Sequence, residues 1–217
     1  MSKIAIIGGH GKIALHLARI LSGQGHEVSS LVRNPDHEPD VREAGGTPVV
    51  ADVENLSTKE IADKIRGHDA LVWSAGAGGG NPDRTYAVDR DAAIRSVDAA
   101  EAANVKRYVM VSYFGASVDH GVPSDSSFFP YAEAKAAADK YLRESGLDWT
   151  ILGPSTLTLD EPTGKIALGP DTGKGEVTRA DVAQVAAHVL DTPATIGKTI
   201  EFNNGDVPID EALDALR

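Results

Sequence analysis

Apolar and polar positions along the chain alternate between two periods. A β-rich apolar run over residues 3–8 predicts a strand. Apolar Ile13, Leu17, Ile20 and Leu21 then recur at helical spacing over residues 12–21, since positions three and four apart share one helix face. Gly23 and Gly25 stop that helix. Further strands are expected over 28–32, 47–51 and 70–73, with helices over 39–44 and 56–65 between them. Ser57 stands at an N-cap position with Glu60 three residues on, the capping-box spacing. The second half predicts an alanine-rich helix over 84–103, strands over 108–111 and 149–152, and a helix from Pro130 to about Glu144. Pro130 suits the first helical position. A helix over 179–190 and a last strand over 199–202 complete the pattern. Strands alternating with helices imply βαβ units and a doubly wound parallel sheet. No repeat or linker divides the chain, so residues 1–217 read as one α/β domain.

Residues 154–177 break the alternation. A long irregular stretch in a compact domain is usually functional or disordered. One reading makes it a cofactor-coupled lid, with Lys165 and Lys174 near cofactor phosphates and Leu157, Leu159, Ile166 and Leu168 covering the reacting ring. The other makes it a fixed surface hairpin, with Leu157 and Leu159 against Ile166 and Leu168.

Composition narrows the class. The 217 residues carry 32 acidic and 21 basic side chains, a net charge of −11, which argues against nucleic acid as partner. The absence of cysteine removes disulfides, thiolate metal sites and a cysteine nucleophile. The seven histidines show no metal-ligand spacing, so no metal site is assigned. The apolar run at Ile4 to Ile7 is too short for a signal-peptide core, and nothing approaches the ~20 apolar residues of a membrane helix. The expectation is a soluble cytoplasmic protein with a small-molecule substrate and no membrane partner, either monomer or homodimer.

The first strand runs directly into Gly8-Gly9-His10-Gly11-Lys12-Ile13-Ala14, a G-x-x-G-x-x-A pattern at the start of a helix. Gly8 permits the tight turn, Gly11 lets backbone approach a phosphate, and Ala14 keeps helix and strand close. The helix N-terminus adds unpaired N–H groups suited to a pyrophosphate. Gly8, His10, Gly11, Lys12 and Ile13 are therefore expected at a dinucleotide. NAD-binding versions of this unit carry an acidic residue about 20 residues past the glycines. Here the second strand ends at Arg33, whose guanidinium matches a 2′-phosphate and favours NADP (NADPH) over NAD. Asp52 and Val53 end strand three at the adenine position, and Ala75 and Gly76 follow strand four, where small residues let a ribose lie against backbone.

Tyr131 and Lys135 stand four apart at the start of a helix and share its face. An ammonium one turn away is expected to lower the phenol pKa, which suits Tyr131 for proton transfer to a substrate oxygen during hydride transfer. Lys135 also suits a ribose contact, and Ser112, at the end of strand five, a hydrogen bond to the same oxygen.

With these motifs assembled, the chain resembles the short-chain dehydrogenase/reductase superfamily, in its atypical, NAD-dependent epimerase/dehydratase-like NAD(P)H-binding branch. The likeness rests on Gly8-x-x-Gly11-x-x-Ala14, Leu31 to Pro35, Asp52-Val53, Val111-Ser112, Tyr131-x-x-x-Lys135 and Ser145 to Pro154. It implies a Rossmann fold, an NADP site extending to Pro154, and a catalytic set of Ser112, Tyr131 and Lys135. Asp89 stands where complete members carry asparagine, and His10 is less usual in the loop. The functions implied are an NADP-dependent oxidoreductase of a small carbonyl, quinone or flavin-like acceptor, a non-catalytic NADPH-binding regulator, or, third, an epimerase. The substrate pocket is expected from residues 113–129 and 154–178.

Overall fold

The computed structural model describes residues 1–216. The first half runs β1 (Lys3–Ile7), α1 (Lys12–Gly23), β2 (Glu27–Val32), α2 (Glu38–Glu43), β3 (Thr47–Val50), α3 (Thr58–Ile65) and β4 (Ala70–Trp73). A short α4 (Pro82–Thr85) continues through a π-helical stretch, Tyr86–Ala92, into α5 (Ala93–Ala103). The second half contains β5 (Arg107–Val111), α6 (Phe129–Arg143), β6 (Asp148–Pro154), β7 (Thr156–Thr158), β8 (Lys165–Leu168) and β9 (Glu176–Thr178). It ends with α7 (Arg179–Leu190), β10 (Lys198–Asn204), β11 (Val207–Pro208) and α8 (Ile209–Asp214).

The main sheet has the order β11-β8-β10-β6-β5-β4-β1-β2-β3. From β10 to β3 every neighbour is parallel, while β8 and β11 add an antiparallel edge. Helices cover both faces, which explains the unbroken apolar reading of β1. Ile4 and Ile6 belong to the core under α1 and α7, while Ala5 and Ile7 belong to the core under α3 and α5. On α1, Leu17 and Leu21 point into the first core, and Ala14 and Ala18 beside them are also buried. Alanines 132, 134, 136 and 138 do the same for α6, keeping its backbone close to the sheet. Among the described residues no helix is long and apolar enough to cross a membrane.

Three expectations need correction. The 84–103 helix begins at Pro82 and holds a π-helical stretch in which Val88, Asp89 and Ala92 are all buried; such widened turns often occur at functional sites. The chain does not end its regular structure at 202, because β11 and α8 follow and α8 buries Ile209, Ala212 and Leu213. Residues 154–177 do not form the expected hairpin. β7 pairs with β9, and β8 is a sheet strand between β10 and β11. Ile166 is fully buried in the core and Leu159 is 68% exposed. Lys165 lies at the outer edge, opposite Pro208. The Asp181 carboxylate of α7 accepts from the Thr163 and Gly164 amides, which ties this stretch down.

Candidate active site

The loops after β1 to β4 surround a cleft of about 270 Å³ lined by Gly8, His10, Gly11, Arg33, Asp52, Val53, Ala75 and Gly76. Gly8 has φ +84°, and a Cβ there would stand 2.6 Å from the Ala75 backbone. A Cβ at Gly9 would stand 2.5 Å from the Ser30 side chain. The turn therefore lies flush on β2 and the β4 loop, and Gly11 N–H closes it by donating to Gly8 O at 2.8 Å. At Gly11 a Cβ would meet Gly8 O at 3.2 Å, an approach a small shift relieves, so open access to the cleft is its main use. As N-cap, Gly11 supplies no side-chain hydrogen bond to α1, which leaves first-turn amides free for an anion. These are features that fit a dinucleotide.

Lys12 and Ile13 do not line the cleft. Lys12 is exposed on the first turn and Ile13 packs into the core, so what they offer a ligand is backbone. The cleft also gathers residues the sequence reading missed: His37, Glu54 and Arg84. His10 stacks on His37 at 3.6 Å and its Nε2 lies 2.7 Å from Asp40. Glu54 sits between two guanidinium groups, 3.6 Å from Arg33 and 3.3 Å from Arg84. Arg84 also donates to Ala77 O, and Arg95 pins the loop by donating to the carbonyls of Val53, Glu54 and Leu56. No local motif announces Arg84 or Arg95, because both reach the loop from helices following β4.

Next to this cleft, β5, β6 and α6 frame a second one of about 350 Å³, which includes Ser112, Tyr131 and Pro154. Tyr113, Phe114 and Phe128 give it aromatic walls; the Tyr131 ring lies 5.6 Å from that of Tyr113 and 5.4 Å from that of Phe128. Pro154 thus belongs to this second cleft, and its carbonyl accepts from Phe114 N–H. Residues 113, 114, 128, 154–157 and 174 contribute to its walls.

Beneath Tyr131 lies a buried charge cluster. Lys135 is 1% exposed and donates from Nζ to Val111 O at 2.8 Å. Asp89, also 1% exposed, accepts from the Ala77 amide at 3.0 Å. Asp139, fully buried, accepts from the Ser112 hydroxyl at 2.5 Å, and its other oxygen has no hydrogen-bond partner. Burial raises both carboxyl pKa values, while the Lys135 charge opposes the rise. Asp139 escaped the sequence reading, although Tyr131, Lys135 and Asp139 repeat at four-residue intervals along one face of α6.

Two expectations change here. Burial raises the Tyr131 pKa, and the nearby Asp89 and Asp139 raise it further, because Lys135 spends its charge between two carboxylates. Tyr131 is a protonated phenol through the neutral range and not a phenolate. Ser112 reaches the second cleft, but its proton points to Asp139, leaving its oxygen lone pairs for a ligand.

A family model described as NAD(P)H-binding matches residues 8–193. The Bacillus subtilis uncharacterized sugar epimerase YhfK is 35% identical over 217 residues, covering 99% of this chain and 100% of that protein. The Saccharomyces cerevisiae UPF0659 protein YMR090W is 35% identical, covering 99% and 98%. Among solved structures, the Lactococcus lactis oxidoreductase ylbE superposes with a TM-score of 0.88 at 31% identity, covering 99% of this chain and 96% of that one. A Bacillus halodurans protein provisionally named an NAD-dependent epimerase/dehydratase superposes at 0.91 with 35% identity, covering 99% and 100%.

Proposed function

The chain belongs to the NAD(P)H-binding family, on its atypical short-chain dehydrogenase/reductase branch, and we propose that it is an NADP-dependent reductase of a small carbonyl, quinone or flavin-like acceptor. The observation that carries this reading is Tyr131, a protonated phenol lining an aromatic-walled cleft beside Ser112 and next to the nucleotide cleft. Gly8, Gly11 and the open first turn of α1 would hold the pyrophosphate, Asp52 and Val53 the adenine, and Ala75 and Gly76 the adjoining ribose. Arg33, at the end of β2, would hold the 2′-phosphate in exchange for its contact with Glu54. NADPH supplies the hydride.

The chain's own part is the proton. As negative charge develops on the acceptor oxygen, Tyr131 donates its phenolic proton and regains one from water in the open cleft. The phenol is loaded at neutral pH, while burial, by raising its pKa, makes it a weaker donor than a free tyrosine. Ser112 orients the oxygen's neighbourhood by accepting, and Asp139 fixes the Ser112 rotamer. Lys135 holds Val111 and offsets the charges of Asp89 and Asp139, so it supports the site electrostatically and leaves the Tyr131 proton in place. A screen of quinones, flavins and small carbonyls for NADPH oxidation tests the reading. At least one acceptor should be reduced, and failure of all of them would reject it.

One observation favours a second reading, a non-catalytic NADPH-binding regulator: the Ser112 proton is committed to Asp139 and not to the cleft. Tight NADPH binding without any acceptor, together with altered capture of a partner protein, would support it. Epimerisation is the third reading.

A further inference from the structure

Building on the reductase reading, we propose that the acceptor is a planar conjugated molecule bearing a carboxylate or phosphate arm, and that Lys174 and Arg179 receive this arm. The molecule carries a net charge of −11, yet no carboxylate lines the acceptor cleft, and its charged side chains are Lys174 and Arg179. In the nucleotide cleft both arginines already face Glu54. In the acceptor cleft neither cation has a carboxylate partner among the described residues.

The fold fixes the Arg179 guanidinium and the backbone that carries Lys174. One guanidinium nitrogen of Arg179 donates to Leu157 O at 3.0 Å and Thr158 O at 2.9 Å. Those two bonds fix the group, and its other nitrogens have no partner among the described residues. Arg179 opens α7, where the helix dipole disfavours a cation, so its placement is not explained by helix stability. The nearby Asp181 carboxylate is taken up by Thr163, Gly164 and Thr178.

Lys174 is exposed, but its backbone is pinned on both sides. Gly173 O accepts from the Asn203 amide at 2.7 Å, Gly175 N–H donates to the Ser155 hydroxyl at 3.2 Å, and Gly175 O accepts from Thr156 N–H at 3.0 Å. A Cβ at Gly175 would stand 2.9 Å from Asn203 Oδ1, which shows how closely that loop is seated. Lys174 is therefore carried to the cleft on a pinned backbone. The aromatic walls fit a flat body, and the two cations fit an anion at one end of it. An anion placed on two unpaired cations gains charge-assisted hydrogen bonds that an uncharged analogue lacks.

Calorimetry of the NADP+-saturated protein against 2-naphthoate, 2-naphthyl phosphate and 2-naphthamide tests this. At least one of the anions should bind about tenfold or more tighter than the amide, and the tighter anion identifies the arm. Lys174→Glu, a surface change that leaves the pinned backbone intact, should remove that advantage while NADP+ affinity and 2-naphthamide affinity stay within about twofold. Arg179→Gln should act in the same direction. Anions binding no better than the amide, an advantage that survives Lys174→Glu, or no binding by any of the three would overturn the proposal. The readout is binding, so it is independent of whether Tyr131 transfers a proton. If NADP+ itself does not bind, the reductase reading falls, and the same titrations on the free protein still decide the anion site.

Discussion

The two clefts are built on opposite plans. The nucleotide cleft is a surface feature whose charges are paired in the open, with Glu54 shared by Arg33 and Arg84 and His10 against Asp40. The acceptor cleft puts its balanced charges underneath, where Asp89, Lys135 and Asp139 are each at most 1% exposed, and leaves Lys174 and Arg179 unpaired at its surface. Exposed pairs contribute little and exchange readily for a ligand's charge. A buried cluster holds a geometry, and removing one member leaves the others uncompensated. The difference teaches that the first cleft carries charges that can exchange partners, while the second rests on charges that hold one geometry.

The largest expected effect comes from breaking the buried cluster. Lys135→Met removes the largest counter-charge of both carboxylates, leaving only Arg84 for Asp89 and Arg143 for Asp139, and should cost about 3–5 kcal/mol of stability near neutral pH, read by urea denaturation. The sign with pH is definite. Asp89 and Asp139 have folded pKa values above the ordinary 3.8, so their protonated forms favour the folded state and that stability is lost as pH rises above about 4. The deficit of the variant should therefore shrink on acidification. A deficit that grows toward acid would show that Lys135 does not offset these carboxylates.

A smaller loss is expected where backbone conformation shapes the nucleotide cleft. Gly8→Ala requires an alanine at φ +84° with its methyl against the Ala75 backbone, and NADPH should bind about 100-fold more weakly by calorimetry. Unchanged affinity would mean that the turn is not the phosphate seat. The smallest effect sharpens the comparison through an exposed charge. NADPH should bind at least about tenfold more tightly than NADH, a difference of ~1.4 kcal/mol, and Arg33→Asp should erase or reverse the preference. Equal affinities in the unaltered protein, measured by tryptophan fluorescence quenching, would remove Arg33 from the 2′-phosphate site.

The same contrast explains what the sequence disclosed. The glycine turn, Arg33 and the Tyr131–Lys135 pair were readable because backbone geometry and helical spacing are local constraints. Residues 154–177 were not, because Ile166 becomes core only when the four-residue β8 pairs with β10 and with the two-residue β11. α8 escaped for a related reason: six residues with three buried positions are too few for a periodic pattern to stand out. Asp139 was visible as a third member of the Tyr131–Lys135 spacing, yet its role depends on Ser112, which the sheet brings beside it from β5. The direction of the Tyr131 pKa could not be read from the Lys135 spacing alone, since two carboxylates from different helices share that lysine.

Single-turnover hydride transfer tests the central claim, that Tyr131 is a loaded proton donor over a buried charge cluster. The NADPH-loaded protein is mixed with an acceptor found in the screen, and nicotinamide absorbance is followed between pH 6 and 9. The account predicts a rate independent of pH across this range, since the Tyr131 proton is held above its ordinary value of 10.0. It further predicts a loss of about 100-fold or more in Tyr131→Phe with NADPH affinity unchanged. An equal rate in that variant, or a rate falling as pH rises through 7, would contradict it.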